Sequence, residues 1–107
     1  MIPTATPADV TDETFLLDVR EEDEWLAGHV EGAVHIAMSG LLPRVGEVPK
    51  DRDVVVMCKV GGRSAQVVAY LAQHGWTNVR NLDGGAVAWH RAGRPLVRED
   101  DGVPTVL

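Results

Sequence analysis

The residue with the clearest chemistry in this sequence is its only cysteine, Cys58. A lone thiol cannot form an intramolecular disulfide, and a structural zinc site would need further thiolate ligands close by in the sequence. Cys58 follows the apolar run Val54-Val55-Val56-Met57, which is typical of a buried strand. In open α/β sheets, ligands bind beyond the carboxyl ends of the strands. The position of this thiol therefore indicates a candidate nucleophile.

The residues after the cysteine are suited to an anion-binding loop. Two adjacent glycines, Gly61 and Gly62, permit a tight curve in which successive backbone N–H groups point inward. A helix predicted to begin near Ser64 would add its free N–H groups and the positive end of its dipole. Lys59 and Arg63 flank the same loop, and nearby cations lower the pKa of a thiol. The loop therefore predicts a reactive thiolate instead of a buried, inert thiol.

Alternating strand and helix patterns surround this loop. Strands are predicted at residues 15–19, 34–36, 54–57 and 79–82, helices at residues 21–27, 64–74 and 86–92, and a weaker helical turn at residues 39–45. Residues 1–7 contain two prolines and form at most a short edge strand. Strands that alternate with helices at this spacing require crossover connections. The fold class is therefore α/β, with a mostly parallel sheet of about five strands and helices on both faces.

Composition limits the size and the partners of the protein. The 107 residues, 45% hydrophobic and 24% charged, predict a single globular domain over residues 1–107, with a surface tail at residues 98–107. A formal net charge of −6 supplies no global positive field for nucleic acid or anionic lipid. The sequence shows neither an apolar run long enough for a membrane helix nor the pattern of a signal peptide. We expect a cytoplasmic protein that binds neither nucleic acid nor membrane.

Three segments, which together cover most of residues 15–97, resemble the signatures of rhodanese-type sulfurtransferases in the same order. They are the N-terminal signature in Leu17-Asp18-Val19-Arg20, Glu24-Trp25 and residues 28–33, the active-site loop in residues 58–64, and the C-terminal signature in Leu82-Asp83-Gly84-Gly85, Ala88-Trp89 and residues 92–95. The resemblance implies a single rhodanese-like domain.

The resemblance also implies a mechanism for Cys58. Its thiolate would attack the outer sulfur of a small anionic donor such as thiosulfate, sulfite would leave, and the cysteine would hold the sulfur as a persulfide. Cyanide, a thiol or a protein would then accept that sulfur. The N–H groups of residues 59–64 would bind the charged species in turn, and Lys59 and Arg63 would orient the donor. We expect no cofactor, and we expect no metal because the histidines show no ligand spacing.

Several side chains near the loop allow two interpretations. Arg63 either contacts the substrate or forms a salt bridge with Asp18 or with a helix acid. Asp18 and Arg20 end a strand next to that of Cys58, so we interpret them as structural support that braces the loop by hydrogen bonds, in preference to a direct part in the chemistry. Val60 forms an apolar lip beside the thiol, where we expect a thiol or protein acceptor to dock.

Three other functions compete with catalytic sulfur transfer from thiosulfate. The same pocket, without turnover, would make a rhodanese-like binding module, although the intact cysteine argues against it. A sulfur carrier would accept sulfur from an upstream desulfurase and pass it to one protein. The similar cell-cycle phosphatases have five residues between cysteine and arginine, whereas four separate Cys58 from Arg63. We therefore expect no phosphatase activity, because the shorter loop leaves too little room for a phosphoryl group.

Overall fold

A five-stranded parallel sheet forms the centre of the computed structural model, which describes residues 2–107. The strands are β1 (Thr4–Ala5), β2 (Phe15–Asp18), β3 (Val34–His35), β4 (Val54–Met57) and β5 (Val79–Leu82), and their spatial order is β1-β5-β4-β2-β3. Every neighbouring pair of strands runs parallel. The predicted α/β class and parallel sheet are confirmed. Met1, part of the predicted domain and edge-strand segment, lies outside the described residues.

Residues 2–107 contain three α-helices: α1 (Glu22–Ala27) between β2 and β3, α2 (Gly62–Gln73) between β4 and β5, and α3 (Gly85–Arg91) after β5. The helix α2 begins two residues before the predicted Ser64, because the left-handed turn lies at Gly61, whose φ is 110°. The predicted turn at residues 39–45 consists of two 3₁₀ segments, Met38–Gly40 and Leu42–Glu47. No helix within residues 2–107 is both long enough and apolar enough to cross a membrane.

Apolar side chains that alternate along the strands form one layer on each face of the sheet. The layer beside α2 contains Leu17, Val19, Val54, Val56, Val67, Val68 and Leu71, and the layer beside α3 contains Leu16, Val55, Met57, Leu82, Ala86 and Trp89. All of β4 is buried because both of its faces are covered, which explains its uninterrupted apolar sequence. The prediction of helices on both faces is confirmed.

The strand order brings distant segments together at one edge of the sheet. β4 lies between β2 and β5, with Asp18 beside Met57 and Asn81 beside Val56 in the register. The carboxyl ends of these three strands therefore meet, and Cys58 leaves the middle one. The segments that follow β2 and β5 flank the cysteine loop on its two sides.

The C-terminal segment 98–107 returns to the end of α1. Just before it, Val97 forms an isolated antiparallel bridge with His29. The N–H of Thr105 then donates to the carbonyl oxygen of Ala27 at 3.0 Å. The side chains of residues 98–107 are exposed or half-buried. The predicted surface tail therefore lies along the surface, where the hydrogen bond from Thr105 attaches it to the end of α1.

Candidate active site

Cys58 lies directly after β4, inside the curve of residues 58–64. Its Sγ accepts a hydrogen bond from the N–H of Gly61 at 3.1 Å, and the hydroxyl oxygen of Ser64 lies 3.3 Å away. The residue is buried, with 1% of its surface exposed. The loop therefore presents hydrogen-bond donors to the sulfur of a cysteine that otherwise belongs to the apolar layer beside α2.

The surroundings of Cys58 act on its pKa in opposite directions. Burial raises the pKa of the thiol, whereas hydrogen bonds from the Ser64 hydroxyl and from the backbone N–H groups of Ser64, Gly61 and Val60 lower it. The donors outweigh burial, so the pKa lies below its ordinary value. These hydrogen bonds lower the pKa of the thiol more than the flanking cations that the sequence suggested, because their donors contact the sulfur itself.

The N-terminus of α3 holds the other side of the loop. The N–H of Ala86 donates to the carbonyl oxygen of Cys58 at 2.8 Å, and the N–H of Val87 donates to that of Lys59 at 3.1 Å. Gly85 adopts a φ of 57°, and a Cβ there would lie 2.4 Å from the Cys58 oxygen. The Asp-Gly-Gly turn, which the sequence suggested only as an entry to the last helix, therefore also packs directly against the cysteine loop.

Asn81 is a site residue that the sequence analysis did not identify. Its Nδ2 donates to the carbonyl oxygen of Gly61 at 3.1 Å, and its Oδ1 accepts from the Ser64 hydroxyl at 2.5 Å. The single proton of that hydroxyl is therefore shared between Asn81 and the sulfur of Cys58. The available signal was an amide side chain one residue before the carboxyl end of the predicted strand 79–82, on the same face as Val79.

Arg63 is held by a carboxylate of α1. Its Nη1 donates to Oε1 of Glu24 at 2.7 Å, and its Nη2 donates to Oε2 of the same residue at 2.9 Å. These hydrogen bonds are the main reason that the pKa of Glu24 falls to about 2. Of the two salt bridges considered for Arg63, the structure contains the one with a helix acid and not the one with Asp18.

Asp18 and Arg20 form a fully buried ion pair behind this helix. Arg20 Nη2 donates to Asp18 Oδ2 at 2.8 Å and to the carbonyl oxygen of Gly28 at 2.8 Å, and its Nη1 reaches the carbonyl oxygen of Glu24 at 3.3 Å. Within the described residues, none of their side-chain hydrogen bonds reaches the cysteine loop. They brace α1, because the guanidinium ties the end of β2 to the end of that helix.

Lys59, Val60 and Gly62 form the exposed rim of the loop. Val60 is 62% exposed, so an apolar side chain stands in solvent beside the buried thiol. A cavity of about 400 Å³ has Leu16 and Trp89 among its lining residues, but no residue of the loop lines it. The candidate site is therefore defined by the N–H groups of the loop, at the surface above the sulfur.

Comparison with known proteins identifies the class to which this fold and loop belong. The sequence profile of the rhodanese-like domain family matches residues 6–92, and the chain belongs to that family. A sulfurtransferase of Allochromatium vinosum is 44% identical over 87 residues, which cover 81% of each chain. A thiosulfate sulfurtransferase of Shewanella oneidensis is 35% identical over 77 residues, which cover 72% of this chain and 76% of the relative.

The fold comparison agrees with the sequence comparison. A rhodanese-related protein from Thermoplasma volcanium superimposes with a TM-score of 0.84 at 31% identity, covering 91% of this chain and 99% of that one. The resemblance inferred from the three sequence signatures is confirmed. Together with the relatives named sulfurtransferases, family membership supports sulfur transfer as the general activity, with a sulfur donor and a sulfur acceptor as partners.

Proposed function

We propose that the protein transfers a sulfane sulfur from thiosulfate or a persulfide to a thiophilic acceptor through a Cys58 persulfide. The observation that carries this proposal is the set of donors around Sγ, with the Gly61 N–H at 3.1 Å and the Ser64 hydroxyl at 3.3 Å. Such a set stabilises a thiolate, which is the nucleophilic form of cysteine. The Shewanella relative, a thiosulfate sulfurtransferase, supports thiosulfate as one donor.

The reaction proceeds in two steps that return the enzyme to its starting state. The Cys58 thiolate attacks the outer sulfur of thiosulfate and forms a disulfur bond, while the original S–S bond breaks and its electron pair leaves with sulfite. The acceptor then attacks the outer sulfur of the persulfide, takes that sulfur, and releases the thiolate. The N–H groups of residues 59–64 stabilise the negative charge at the sulfur in both steps. The proposal needs no separate general base, because the donors of the loop lower the pKa of the thiol and so favour the thiolate.

A protein-to-protein sulfur carrier is the second candidate for the same loop. The exposed Val60 favours it, because an apolar residue beside the thiol suits contact with a thiol or protein acceptor more than contact with a small, highly charged one. In that case, a desulfurase-bound persulfide supplies the sulfur and one protein partner receives it. The chemistry at Cys58 is the same in both candidates.

Intact mass spectrometry tests the persulfide directly. The protein is incubated with thiosulfate without reductant and is compared with the Cys58→Ser variant. We expect the native chain to gain one sulfur, about 32 Da, and to lose it on addition of cyanide or a thiol. The variant is expected to gain no mass and to form no thiocyanate.

Each alternative outcome has a definite meaning. Thiocyanate formation by Cys58→Ser would overturn the assignment of the nucleophile. A native chain that gains no sulfur from thiosulfate but gains one from a thiol persulfide would favour the carrier. A chain that gains sulfur from neither donor would overturn the proposal and would leave a rhodanese-like binding module.

A further inference from the structure

Glu24 compensates the cation that the sequence places beside the thiol. Both oxygens of the carboxylate accept hydrogen bonds from the Arg63 guanidinium, at 2.7 and 2.9 Å. The Glu24 side chain is only 14% exposed, whereas the Arg63 side chain is 34% exposed. Arg63 therefore stands at the rim of the loop with its charge already paired, and it is not the free cation that an anionic donor would seek.

The carboxylate is held firmly in this position. Glu24 Oε1 also accepts a hydrogen bond from the backbone N–H of Glu21 at 3.1 Å, at the start of α1. The buried Arg20 donates to the Glu24 carbonyl oxygen and fixes the same helix. The Glu24 carboxylate is therefore held by the start of α1 as well as by Arg63, and the ion pair is built into the site.

Arg63 lies in the cysteine loop directly before Ser64, whose hydroxyl oxygen is 3.3 Å from the Cys58 sulfur. The hydrogen bonds with Glu24 are the main cause that raises the pKa of Arg63, and the charges of Glu24, Cys58 and Glu21 raise it further. Two carboxylates thus act on the Arg63 guanidinium, whereas the buried guanidinium of Arg20 is paired with Asp18. The other loop cation, Lys59, has an exposed side chain, so solvent and salt screen its charge.

We propose that Glu24 is a specificity-determining residue that disfavours dianionic thiosulfate and favours a thiol persulfide as the sulfur donor. This inference rests on the function proposed above and names the substrate class for that same site. Thiosulfate brings two negative charges to a loop that already holds a thiolate. A thiol persulfide, R–S–SH, brings at most one, so it depends less on a free cation.

The step with a persulfide donor is balanced without any further reagent. The Cys58 thiolate attacks the outer sulfur of R–S–SH, a bond forms between these two sulfurs, and the R–S bond to the outer sulfur breaks. The electron pair leaves on the thiolate R–S⁻, and the proton remains on the transferred sulfur. The leaving group thus carries one negative charge, whereas sulfite, the leaving group from thiosulfate, carries two.

The Glu24→Gln variant tests the inference by freeing the charge of Arg63. Glutamine keeps the size of the side chain and can still accept the hydrogen bond from Glu21, so the helix start is preserved. The quantity measured is kcat/KM for thiosulfate divided by kcat/KM for 2-hydroxyethyl persulfide, with cyanide as the acceptor. We expect this ratio to rise about tenfold, because an uncompensated cation attracts the dianion more strongly.

Three further variants test whether the effect comes from the Glu24–Arg63 pair and not from net charge. Glu22→Gln removes one charge from an exposed position on the same helix, and we expect a ratio within about twofold of the native value. The double variant Glu24→Gln with Arg63→Gln restores a neutral pair, and we expect it to lose the gain. Glu24→Asp, whose shorter carboxylate cannot reach both guanidinium nitrogens equally, is expected to show a smaller rise. It provides the test if Glu24→Gln does not fold.

The outcomes distinguish this inference from the proposed function. A native chain that transfers sulfur from both donors, with a ratio unchanged in Glu24→Gln, overturns the role of Glu24 alone. A gain that persists in the double variant also overturns it, because Arg63 would then not carry the effect. A native chain that transfers sulfur from neither donor overturns the proposed function and this inference with it.

Discussion

The contact between Gly85 and the cysteine loop gives the sharpest prediction for stability. In a Gly85→Ala variant, the new Cβ would lie 2.4 Å from the Cys58 carbonyl oxygen and 2.6 Å from that of Lys59, whereas real Cβ atoms essentially never come closer than 3.0 Å. The helix α3 must therefore move away from the loop. That movement weakens the two hydrogen bonds donated by Ala86 and Val87, each of which contributes about 1 kcal/mol.

Gly93 provides a matched control for the backbone strain. Its φ is 76°, close to the 57° of Gly85, but nothing lies within 4 Å of a Cβ placed there. Alanine in the left-handed region costs about 1 to 2 kcal/mol at either position. Overpacking and the weakened hydrogen bonds apply only at Gly85, so we expect Gly85→Ala to lower the free energy of unfolding by about 3 to 5 kcal/mol and Gly93→Ala by about 1 to 2 kcal/mol.

Urea denaturation followed by tryptophan fluorescence measures this difference. The same two variants are then tested for alkylation of the Cys58 thiol by iodoacetamide at pH 7. We expect the alkylation rate to change only in Gly85→Ala, because only that substitution displaces the helix that holds the loop. Equal losses of stability in the two variants would refute the argument that close contact with the loop requires glycine at position 85.

Two further predictions concern the polar groups of the site. Ser64→Ala removes a hydroxyl donor, so the pKa of the Cys58 thiol should rise and the alkylation rate at pH 7 should fall about threefold to tenfold; an unchanged pH profile of alkylation would contradict this role. Arg20→Met leaves Asp18 as an uncompensated buried charge and should lower the free energy of unfolding by about 3 to 5 kcal/mol. Arg44→Met, at an exposed ion pair, should cost at most about 1 kcal/mol in the same urea titration, and similar losses in the two variants would contradict the importance of burial.

Local patterns in the sequence predicted most of the fold. The apolar run at residues 54–57 forms β4, as predicted. The helix predicted at residues 86–92 from the turn signals around it agrees with the bounds of α3 to within one residue at each end. These features are local, because hydrophobic periodicity and turn-forming glycines depend on only a few neighbouring residues. The start of α2 was predicted two residues late. Gly62 was assigned to the loop, although only Gly61 needs a positive φ and Gly62 fits the first turn of the helix.

The partners in the site were less predictable than the loop itself. Arg63 and Glu24 are 39 residues apart in the sequence, and Asn81 is 20 residues from Gly61. They meet because β4 lies between β2 and β5, an order that no local pattern contains. The sequence therefore suggested a salt bridge for Arg63 without settling its partner, and it gave no role to Asn81.

The sequence by itself determined that one thiol stands at the end of a buried strand, in a glycine-containing loop that opens into a helix. Composition, periodicity and the signature residues are sufficient for that conclusion, because each depends on neighbours along the chain. Only the tertiary structure decided which groups touch the sulfur and which charges remain free. It places the pKa of the thiol under the control of direct hydrogen bonds, and it pairs Arg63 with Glu24. Hydrogen bonds and ion pairs act over a few ångströms in space, so they depend on strand order, which sequence distance does not specify.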